Sequence, residues 1–288
     1  MNYILQPYDD ALAYVLENGE VRENRTGVNT LSVFGYQMRF NISERFPILT
    51  KRKMFPKAIF AELLWILSGS TNVRDLEALG CKVWTPWVDK DFEDRNNYFD
   101  GELGPIYGFN LRHFGAPYND RYESVSEEYG FDQLDYVVNE LKNNKTSRRI
   151  MFSYWDPSVV TTDEVRLPPC HLLFQLNVDG KDRLSGILYQ RSADLPVGSP
   201  FNIASYSALI YMLAAECGYI PFEFIYTIAD SHIYENQIDA VNKYLLRTEV
   251  DSPILKLNKV KDISSYTLDD FELIDYNPMS GIIMPVAV

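Results

Sequence analysis

Cys170 follows two prolines in the segment VRLPPCHLLFQLNV, where an apolar strand is predicted to begin. A cysteine at this position is either a small apolar core residue or, as its thiolate, a nucleophile. A nearby cation favours the second role, because positive charge stabilises the thiolate. The chemistry of Cys170 therefore depends on which charged residue the fold brings beside it.

The β-hairpin predicted after Cys170 supplies such a cation. Two apolar segments, 171–178 and 183–192, flank the turn-forming residues DGKD, a pattern typical of a hairpin. With the turn centred on DGKD, Cys170 lies opposite Arg191, and opposed side chains are about 5 Å apart at Cβ. A β-bulge would shift the pairing slightly and leave the two as neighbours. We expect the guanidinium to lower the pKa of the thiol and to bind a phosphate or carboxylate.

His171 is a poor candidate for the base that activates Cys170. Adjacent residues of a strand point to opposite faces, so the imidazole is expected to face away from the thiol. This argues against a Cys–His acyl hydrolase of the papain type, and it predicts a supporting role for His171.

Glu62 is a carboxylate inside the apolar segment AIFAELLWIL, which is typical of a buried helix. Glutamate is rarely buried without a partner. The side chain therefore either reaches solvent at the edge of the helix or faces a pocket. In a pocket, desolvation would raise its pKa and suit it to proton transfer or to ordering water.

Several polar residues form candidate ligand contacts. Arginine-containing clusters that could bind an anion are NRTG with Arg25, TSRRI with Arg148 and Arg149, and YQRSAD with Arg191, Ser192 and Asp194. Asn202 precedes an apolar helix, where an N-cap is the default role, but its amide also has the donor and acceptor needed to read a base edge. His232 and Tyr234 are two residues apart at a strand end and so lie on one face, as a site pair or a core pair.

Aromatic residues accompany these clusters. GELGPIYGF is interpreted as a rigid turn region that presents Tyr107. Trp84 and Trp87 are candidate rim aromatics for a flat ligand, with core packing as the alternative.

The composition excludes several classes of protein. The chain has 288 residues and a net charge of −13, which argues against a general nucleic-acid binder or a binder of anionic membranes, since both need a broad basic surface. No apolar run is long enough to span a bilayer. Three histidines and three separated cysteines, without metal-ligand spacing, predict no zinc site. The odd cysteine number and the lack of a signal sequence at MNYILQPYDD indicate a reducing cytoplasm.

Helical and strand patterns are mixed without regular alternation. Predicted helices are 7–19, 57–69, 131–144, 205–218 and 234–247, and predicted strands are 30–42, 148–155, 171–178, 183–192 and 223–230. This order predicts one α+β domain over residues 1–288, with α/β-type layers in which helices pack on a twisted mixed sheet, rather than a doubly wound parallel fold. The segments 82–101 and 115–130 are predicted to be long surface excursions.

Together these segments resemble the thymidylate synthase family over nearly the whole chain. The resemblance rests on RTGVNTLSVFG, ELLWILSGSTN, GELGPIYGFNLRHFGA, SRRIMFS, LPPCHLLFQ, LYQRSADLPVGSPFNIASY, DSHIY and MPVAV. It implies dUMP as substrate, 5,10-methylenetetrahydrofolate as donor of the methylene and the hydride, and no bound metal. It also implies a homodimer formed across one face of the sheet.

The resemblance implies a role for each matching residue. Cys170 would add to C6 of the uracil, Glu62 would organise water for proton transfer with help from Tyr107, and Asn202 would read the uracil edge. The dUMP phosphate would be held by Arg25, Arg191 and Ser192, and by Arg148 and Arg149 of the second subunit. His232 and Tyr234 would hold the deoxyribose hydroxyl. Residues implied on the folate side are Trp84, Trp87, Asp194, Val197, Gly198 and Val288.

The sequence departs from the family pattern mostly on the folate side. WTPW lacks the usual Asp after its first Trp, LPVGSPFN replaces a more apolar loop, SYWDP replaces SAWNP, and Ala229 replaces a Gly. The closest alternative activity is dUMP hydroxymethylation, in which water replaces the hydride. Retention of Trp84 and MPVAV favours the synthase. A dCMP hydroxymethylase would be expected to carry an acidic residue in place of Asn202.

Overall fold

The structure is a computed structural model that describes residues 3–118, 130–258, 260 and 262–286. Within these ranges, alternating apolar residues form a six-stranded sheet in the order β1–β2–β6–β5–β4–β3, and two further strands form a separate ladder. The strands are β1 (Glu20–Arg22), β2 (Thr30–Asn41), β3 (Met151–Ser153), β4 (His171–Val178), β5 (Arg183–Asp194), β6 (Ile220–Tyr234), β7 (Ile254–Leu257) and β8 (Phe271–Ile274).

The connecting segments are largely helical. The α-helices are α1 (Gln6–Asn18), α2 (Pro56–Leu67), α3 (Val73–Ala78), α4 (Lys90–Asn96), α5 (Tyr107–Arg112), α6 (Gln133–Asn143), α7 (Gly198–Cys217) and α8 (Ile238–Leu245). Short 3-10 helices span Thr85–Trp87, Glu235–Gln237, Ile263–Ser265 and Leu268–Asp270.

The sheet is mixed, as predicted. β5 and β6 pair in parallel, whereas their other neighbours in the sheet pair antiparallel. The parallel pair is possible because the long helix α7 connects β5 to β6 and returns the chain to the same end. The C-terminal ends of β5 and β6 and the N-terminal ends of β2 and β4 therefore meet at one edge of the sheet.

Helix α7 packs closely on one face of the sheet. Tyr206 of this helix lies against Phe174 and Phe224, with ring centroids 5.0 and 6.1 Å away. Gly186 permits this packing, because a Cβ there would lie 2.4 Å from the ring of Phe174. The buried apolar residues form one continuous cluster between this face and the helices. On the opposite face, Ile187 and Ile225 remain partly exposed.

The structure corrects three predicted element boundaries. Helix α7 begins at Gly198 rather than at 205, because Pro200 lies in its first turn, where no backbone N–H is needed. The segment 82–101 is not a plain loop: it contains the 3-10 helix Thr85–Trp87 and α4, whose N-cap Asp89 accepts hydrogen bonds from two backbone N–H groups. β6 extends to Tyr234 and not only to residue 230.

None of the helices in the described ranges is both long and apolar enough to cross a membrane.

Candidate active site

The β4–β5 hairpin places Arg191 beside Cys170, as predicted, but by a different route. In the regular part of the hairpin Val178 pairs with Leu184, one residue away from the predicted register. An irregularity between His171 and Leu173 shifts the pairing back, and the backbone N–H of Arg191 donates to the carbonyl of Cys170 at 2.9 Å. The β-bulge therefore leaves Cys170 and Arg191 adjacent at the open end of the hairpin.

The guanidinium of Arg191 supports the loop that carries Cys170. Its Nε donates to the carbonyl of Pro169 at 2.8 Å, and its Nη2 donates to that of Pro168 at 2.9 Å. The same Nη2 lies 3.5 Å from the Sγ of Cys170. Arg191 thus positions the thiol and provides positive charge beside it.

The electrostatic balance at Cys170 differs from the prediction. Burial raises the pKa of the thiol, and the charges of Arg191 and Arg25 lower it, but the net pKa lies above the ordinary value. The predicted direction of the Arg191 contribution is correct. The predicted net lowering is wrong for this chain, because desolvation of the thiolate outweighs the two cations.

Tyr107 contacts the nucleophile loop directly. It begins α5, and its hydroxyl oxygen accepts a hydrogen bond from the backbone N–H of Cys170 at 2.8 Å. Burial raises the pKa of Tyr107 well above its usual value. The phenol therefore stays neutral and keeps a proton that a ligand or water can accept.

Glu62 is only partly exposed, and its carboxylate hydrogen-bonds inside the protein. Its Oε1 accepts a hydrogen bond from the indole Nε1 of Trp84 at 2.6 Å. Burial raises the pKa of Glu62 to about 7, although the hydrogen bond from Trp84 lowers it. A carboxyl group with this pKa is able both to donate and to accept a proton near neutrality.

Trp84 and Trp87 are anchored by packing. The Trp84 ring lies 6.0 Å from the rings of both Trp65 and Tyr107, and its N–H is occupied by Glu62. Trp87 is partly buried against the core. Trp84 therefore connects Glu62 to Tyr107, and its position near a flat ligand stays a prediction.

Asn202 is part of a buried cluster of polar side chains between α7 and the sheet. Its Nδ2 donates to Gln190 Oε1 at 2.9 Å and to the Tyr226 hydroxyl at 3.2 Å, and that hydroxyl donates to Gln190 Oε1 at 2.6 Å. Because Asn202 lies inside α7, the N-cap interpretation is wrong. The orientation of Gln190 is fixed, since its Nε2 donates to the backbone carbonyl of Ser192 at 2.8 Å.

Gln190 and Tyr226 were not predicted as site residues. Both occupy core-facing positions of their strands, and they hydrogen-bond to each other and to Asn202. A glutamine at a strand position that alternates with apolar residues is the available signal, because a buried amide requires partners.

His171 has the supporting role predicted for it. Its Nδ1 lies 3.2 Å from the Tyr206 hydroxyl, and its ring packs 5.1 Å from that of Tyr107. Burial lowers the pKa of His171 to about 4. The imidazole is therefore neutral at physiological pH, and its Nδ1 is paired with the Tyr206 hydroxyl rather than with the thiol.

His232 and Tyr234 form an adjacent pair at the end of β6. Their rings meet edge to face with centroids 5.3 Å apart. The Nδ1 of His232 lies 3.1 Å from Oδ1 of Asp230. Burial raises the pKa of Tyr234, and Asp194 and Cys170 are among the groups that influence it. This pair therefore lies at the same edge of the sheet as the nucleophile loop.

The predicted arginines fall into two groups. Arg25 is exposed in the β1–β2 connection and acts electrostatically on Cys170, so it lies near the site. Arg148 and Arg149 are exposed before β3. Since Met151 pairs with Gln175, these arginines lie about 20 Å along β4 from Cys170. The described chain does not bring them to its own Cys170.

Asp194 joins the site to the C-terminal segment. Its Oδ1 accepts a hydrogen bond from the Val197 N–H at 3.0 Å, and its Oδ2 accepts one from Gln237 at 2.9 Å. The same Gln237 amide donates to the carbonyl of Pro285 at 2.8 Å. Burial raises the pKa of Asp194. The tail is thereby held beside the predicted folate residues, although Val288 itself lies outside the described residues.

A largely apolar cavity of about 460 Å³ opens beside Val197, the residue before Gly198. Its lining includes Arg52, Lys53, Phe55, Val197, Phe201, Ile282 and Met284. Apolar walls with a basic rim suit a flat ring that carries a carboxylate.

Within the described ranges, no group of three or more His, Cys, Asp or Glu side chains is placed to hold a metal ion.

Known proteins are similar to this chain over most of its length. A family model described as "Thymidylate synthase" matches residues 6–288. Similar proteins include bifunctional dihydrofolate reductase-thymidylate synthase 2 of Arabidopsis thaliana, 42% identical over 285 residues, which are 98% of this chain and 50% of the relative. The bifunctional dihydrofolate reductase-thymidylate synthase of Paramecium tetraurelia is 41% identical over 284 residues, covering 98% of this chain and 61% of the relative.

The corresponding bifunctional protein of Plasmodium chabaudi is 43% identical over 278 residues, which are 95% of this chain and 47% of the relative. The chain thus spans about half the length of the curated relatives it matches.

Proposed function

The chain belongs to the thymidylate synthase family, and we propose that it methylates dUMP to dTMP, using 5,10-methylenetetrahydrofolate as the second substrate and releasing dihydrofolate. The observation that carries this proposal is the Cys170 thiol held 3.5 Å from Arg191 Nη2, on a loop fastened by Tyr107 and by two carbonyl contacts of Arg191. A positioned thiol beside a cation is the arrangement that nucleophilic addition needs.

In the first step the Cys170 thiolate forms a bond from Sγ to C6 of the uracil. The electrons of the C5–C6 double bond move towards O4, and C5 becomes nucleophilic. The dUMP phosphate lies beside Arg191 and Arg25 in this proposal. Asn202 binds the uracil edge through its Oδ1, because Gln190 and Tyr226 accept both hydrogens of its Nδ2. Oδ1 accepts a hydrogen bond from N3–H of the uracil and so orients the ring for attack at C6.

In the second step C5 forms a bond to the methylene carbon of the folate, and one carbon–nitrogen bond of the folate breaks. The C5 proton then leaves to a base, and the remaining carbon–nitrogen bond breaks to give an exocyclic methylene. Glu62, with its pKa of about 7, organises the water that carries these protons, and the Tyr107 hydroxyl assists.

In the last step the exocyclic methylene accepts a hydride from tetrahydrofolate, the Sγ–C6 bond breaks, and dTMP and dihydrofolate result. If water attacked the methylene instead, the product would be hydroxymethyl-dUMP. The similarity to bifunctional dihydrofolate reductase-thymidylate synthases supports the synthase, as does the enclosed position of Trp84 beside Glu62.

The folate is placed in the cavity beside Val197 and Gly198. Asp194 binds the pterin, Trp84 stacks near it, and Trp87 and Val288 complete the enclosure. The contact from Asp194 through Gln237 to Pro285 supports this assignment, because it ties the C-terminal segment to a folate-side residue.

The active form is proposed to be a homodimer that associates through the partly exposed face of the sheet. Arg148 and Arg149 then bind the dUMP phosphate of the second copy. Their distance of about 20 Å from Cys170 of their own chain supports action across the interface. They also add positive charge that would lower the pKa of the thiol, which burial alone keeps high.

The remaining assignments follow from the same chemistry. Residues 1–288 act as one catalytic domain, supported by the single continuous core. A reducing compartment such as the cytoplasm is favoured, because Cys170 must stay a free thiol and all three cysteines are free. The partners are dUMP, the folate and a second copy of the chain; neither nucleic acid nor a membrane is required.

The test is to incubate the protein with dUMP and 5,10-methylenetetrahydrofolate and to analyse the nucleotide by mass. A methyl product accompanied by equimolar dihydrofolate is expected, whereas a hydroxymethyl product without dihydrofolate would establish the alternative. Cys170→Ser should abolish turnover and leave dUMP binding largely intact. Normal turnover by that variant would rule out the covalent mechanism.

A further inference from the structure

Asp230 is a carboxylate shared by three elements beside the proposed sugar site. Its Oδ1 accepts a hydrogen bond from Ser32 Oγ of β2 at 2.9 Å and lies 3.1 Å from Nδ1 of His232. Its Oδ2 lies 3.7 Å from the Arg22 guanidinium of β1. His232 is the more enclosed member of the pair, with 11% of its side chain exposed against 33% for Asp230.

The protonation states of Asp230 and His232 follow from the contacts of the two side chains. Burial acts to raise the pKa of Asp230, but the hydrogen bonds from His232 and Ser32 together with the charge of Arg22 bring it below the usual value. The carboxylate is therefore ionised at neutral pH and can only accept hydrogen bonds. The Nδ1 of His232 must then carry the proton, and in the neutral ring Nε2 is an acceptor.

We propose that Asp230 is a positioning residue that selects the Nδ1–H tautomer of His232, so that Nε2 accepts the proton of the deoxyribose hydroxyl. This role rests on the proposed function, because it takes the sugar hydroxyl as the ligand of His232. Tyr234 complements it. Its phenol stays protonated, since burial raises its pKa, and it is able to donate to the oxygen of the same hydroxyl.

The substitution Asp230→Asn would remove the preference for the Nδ1–H tautomer of His232. The side chain of Asp230→Asn has both a donor and an acceptor and accommodates either tautomer of His232. In the second tautomer Nε2 carries the proton and competes with Tyr234 as a donor. The hydroxyl proton then has no acceptor in this pair.

Asp230 also lies beside the Arg22 guanidinium, and the effect of this contact has to be separated from the effect of the contact to His232. Arg22 precedes the loop that carries Arg25, so loss of the carboxylate could also disturb phosphate binding. A pair of ligands with the same phosphate, one with the sugar hydroxyl and one without it, distinguishes the two effects. dUMP and 2′,3′-dideoxyuridine 5′-monophosphate form such a pair.

The test measures the Kd of both nucleotides for the wild type and for Asp230→Asn by calorimetry. The wild type should bind dUMP on the order of tenfold more tightly than the dideoxy analogue, the worth of one hydrogen bond to a ligand. In Asp230→Asn the ratio should fall to within about twofold. An unchanged ratio, including equal weakening of both ligands, would overturn the role in tautomer selection.

Two controls make the result specific. Asp10→Asn makes the same chemical change on the exposed face of α1 and should keep the wild-type ratio. Nitrogen-15 NMR of the wild type should show the Nδ1–H tautomer for His232, which is one of only three histidines; an Nε2–H signal would also overturn the proposal. A wild type that binds neither nucleotide would instead refute the proposed function, and this role with it.

Discussion

The hydroxyl of Tyr107 accepts a hydrogen bond from the backbone N–H of Cys170 at 2.8 Å. This contact connects α5 to the loop before β4, two elements that are far apart in sequence. The N–H of Cys170, which follows two prolines and precedes β4, thereby has a hydrogen-bond partner. The position of the nucleophile is therefore determined by a side chain from another element as well as by its own strand.

Tyr107→Phe should weaken catalysis more than nucleotide binding. The change leaves the Cys170 N–H without its partner, at a cost of about 1–3 kcal/mol, and loosens the thiol. We expect kcat to fall on the order of tenfold or more, with the Kd of dUMP changed by less than about threefold. Steady-state kinetics and equilibrium binding measure the two effects. Tyr244→Phe, at a buried tyrosine of α8 that is not among the candidate site residues, is the control, and an equal loss there would contradict a local role.

Glu62 should make folding stability depend on pH. The unfolded carboxyl ionises near 4.5, whereas the folded one keeps its proton to about 7. Between these values the folded state binds more protons, so the free energy of unfolding should fall as the pH rises through this window. Glu62→Gln removes this contribution. Urea unfolding at pH 5 and pH 8 should show wild type losing stability relative to the variant, and parallel curves would contradict burial of the carboxyl.

Asn202→Asp should shift nucleotide preference from dUMP towards dCMP. A carboxylate accepts from the amino group of cytosine, whereas it repels O4 of uracil, which is also an acceptor. The preference, measured as the ratio of binding constants, should change by about tenfold or more. Gln190→Asn, which shortens the partner of Asn202 and adds no charge, is the matched comparison. If the ratio were unchanged in Asn202→Asp, this residue would not read the base.

Arg149 offers a test of the proposed dimer. Arg149→Ala and Cys170→Ala should each be nearly inactive alone, because one weakens phosphate binding and the other lacks the nucleophile. Mixing and reassociating the two variants should restore up to about a quarter of the wild-type activity, since a hybrid dimer contains one site with both native residues. Activity assays of the mixture after mild denaturation measure this. Absence of recovery in a verified hybrid would show that Arg149 does not act across the interface.

Gly186→Ala should destabilise the fold without acting on the chemistry directly. The added Cβ would lie 2.4 Å from the ring of Phe174 and 3.0 Å from Ile210. Overpacking of this kind costs about 1–3 kcal/mol. Chemical unfolding should show a lower midpoint with an unchanged slope. Gly180→Ala, where an added Cβ meets nothing within 4 Å, should change the midpoint little.

Local patterns in the sequence predicted most of the secondary structure correctly. The helices around Val15 and Leu63 and the long strands β2 and β5 have strong apolar periodicity, which is a short-range property of the chain. The α4 helix was missed because its periodicity is short, and the start of α7 was missed because Gly-Ser-Pro is typical of a loop. Tertiary packing overrides such local signals.

The sequence by itself also determined the residue types of the site and the neighbours Cys170 and Arg191, because a short hairpin constrains its own pairing. Only the tertiary structure decided the net pKa of the thiol, the Trp84–Glu62 hydrogen bond, and the Gln190 and Tyr226 partners of Asn202. Each of these depends on desolvation or on contacts between residues distant in the chain. Burial is a property of the whole fold, so no local pattern reports how strongly water is excluded from a given atom.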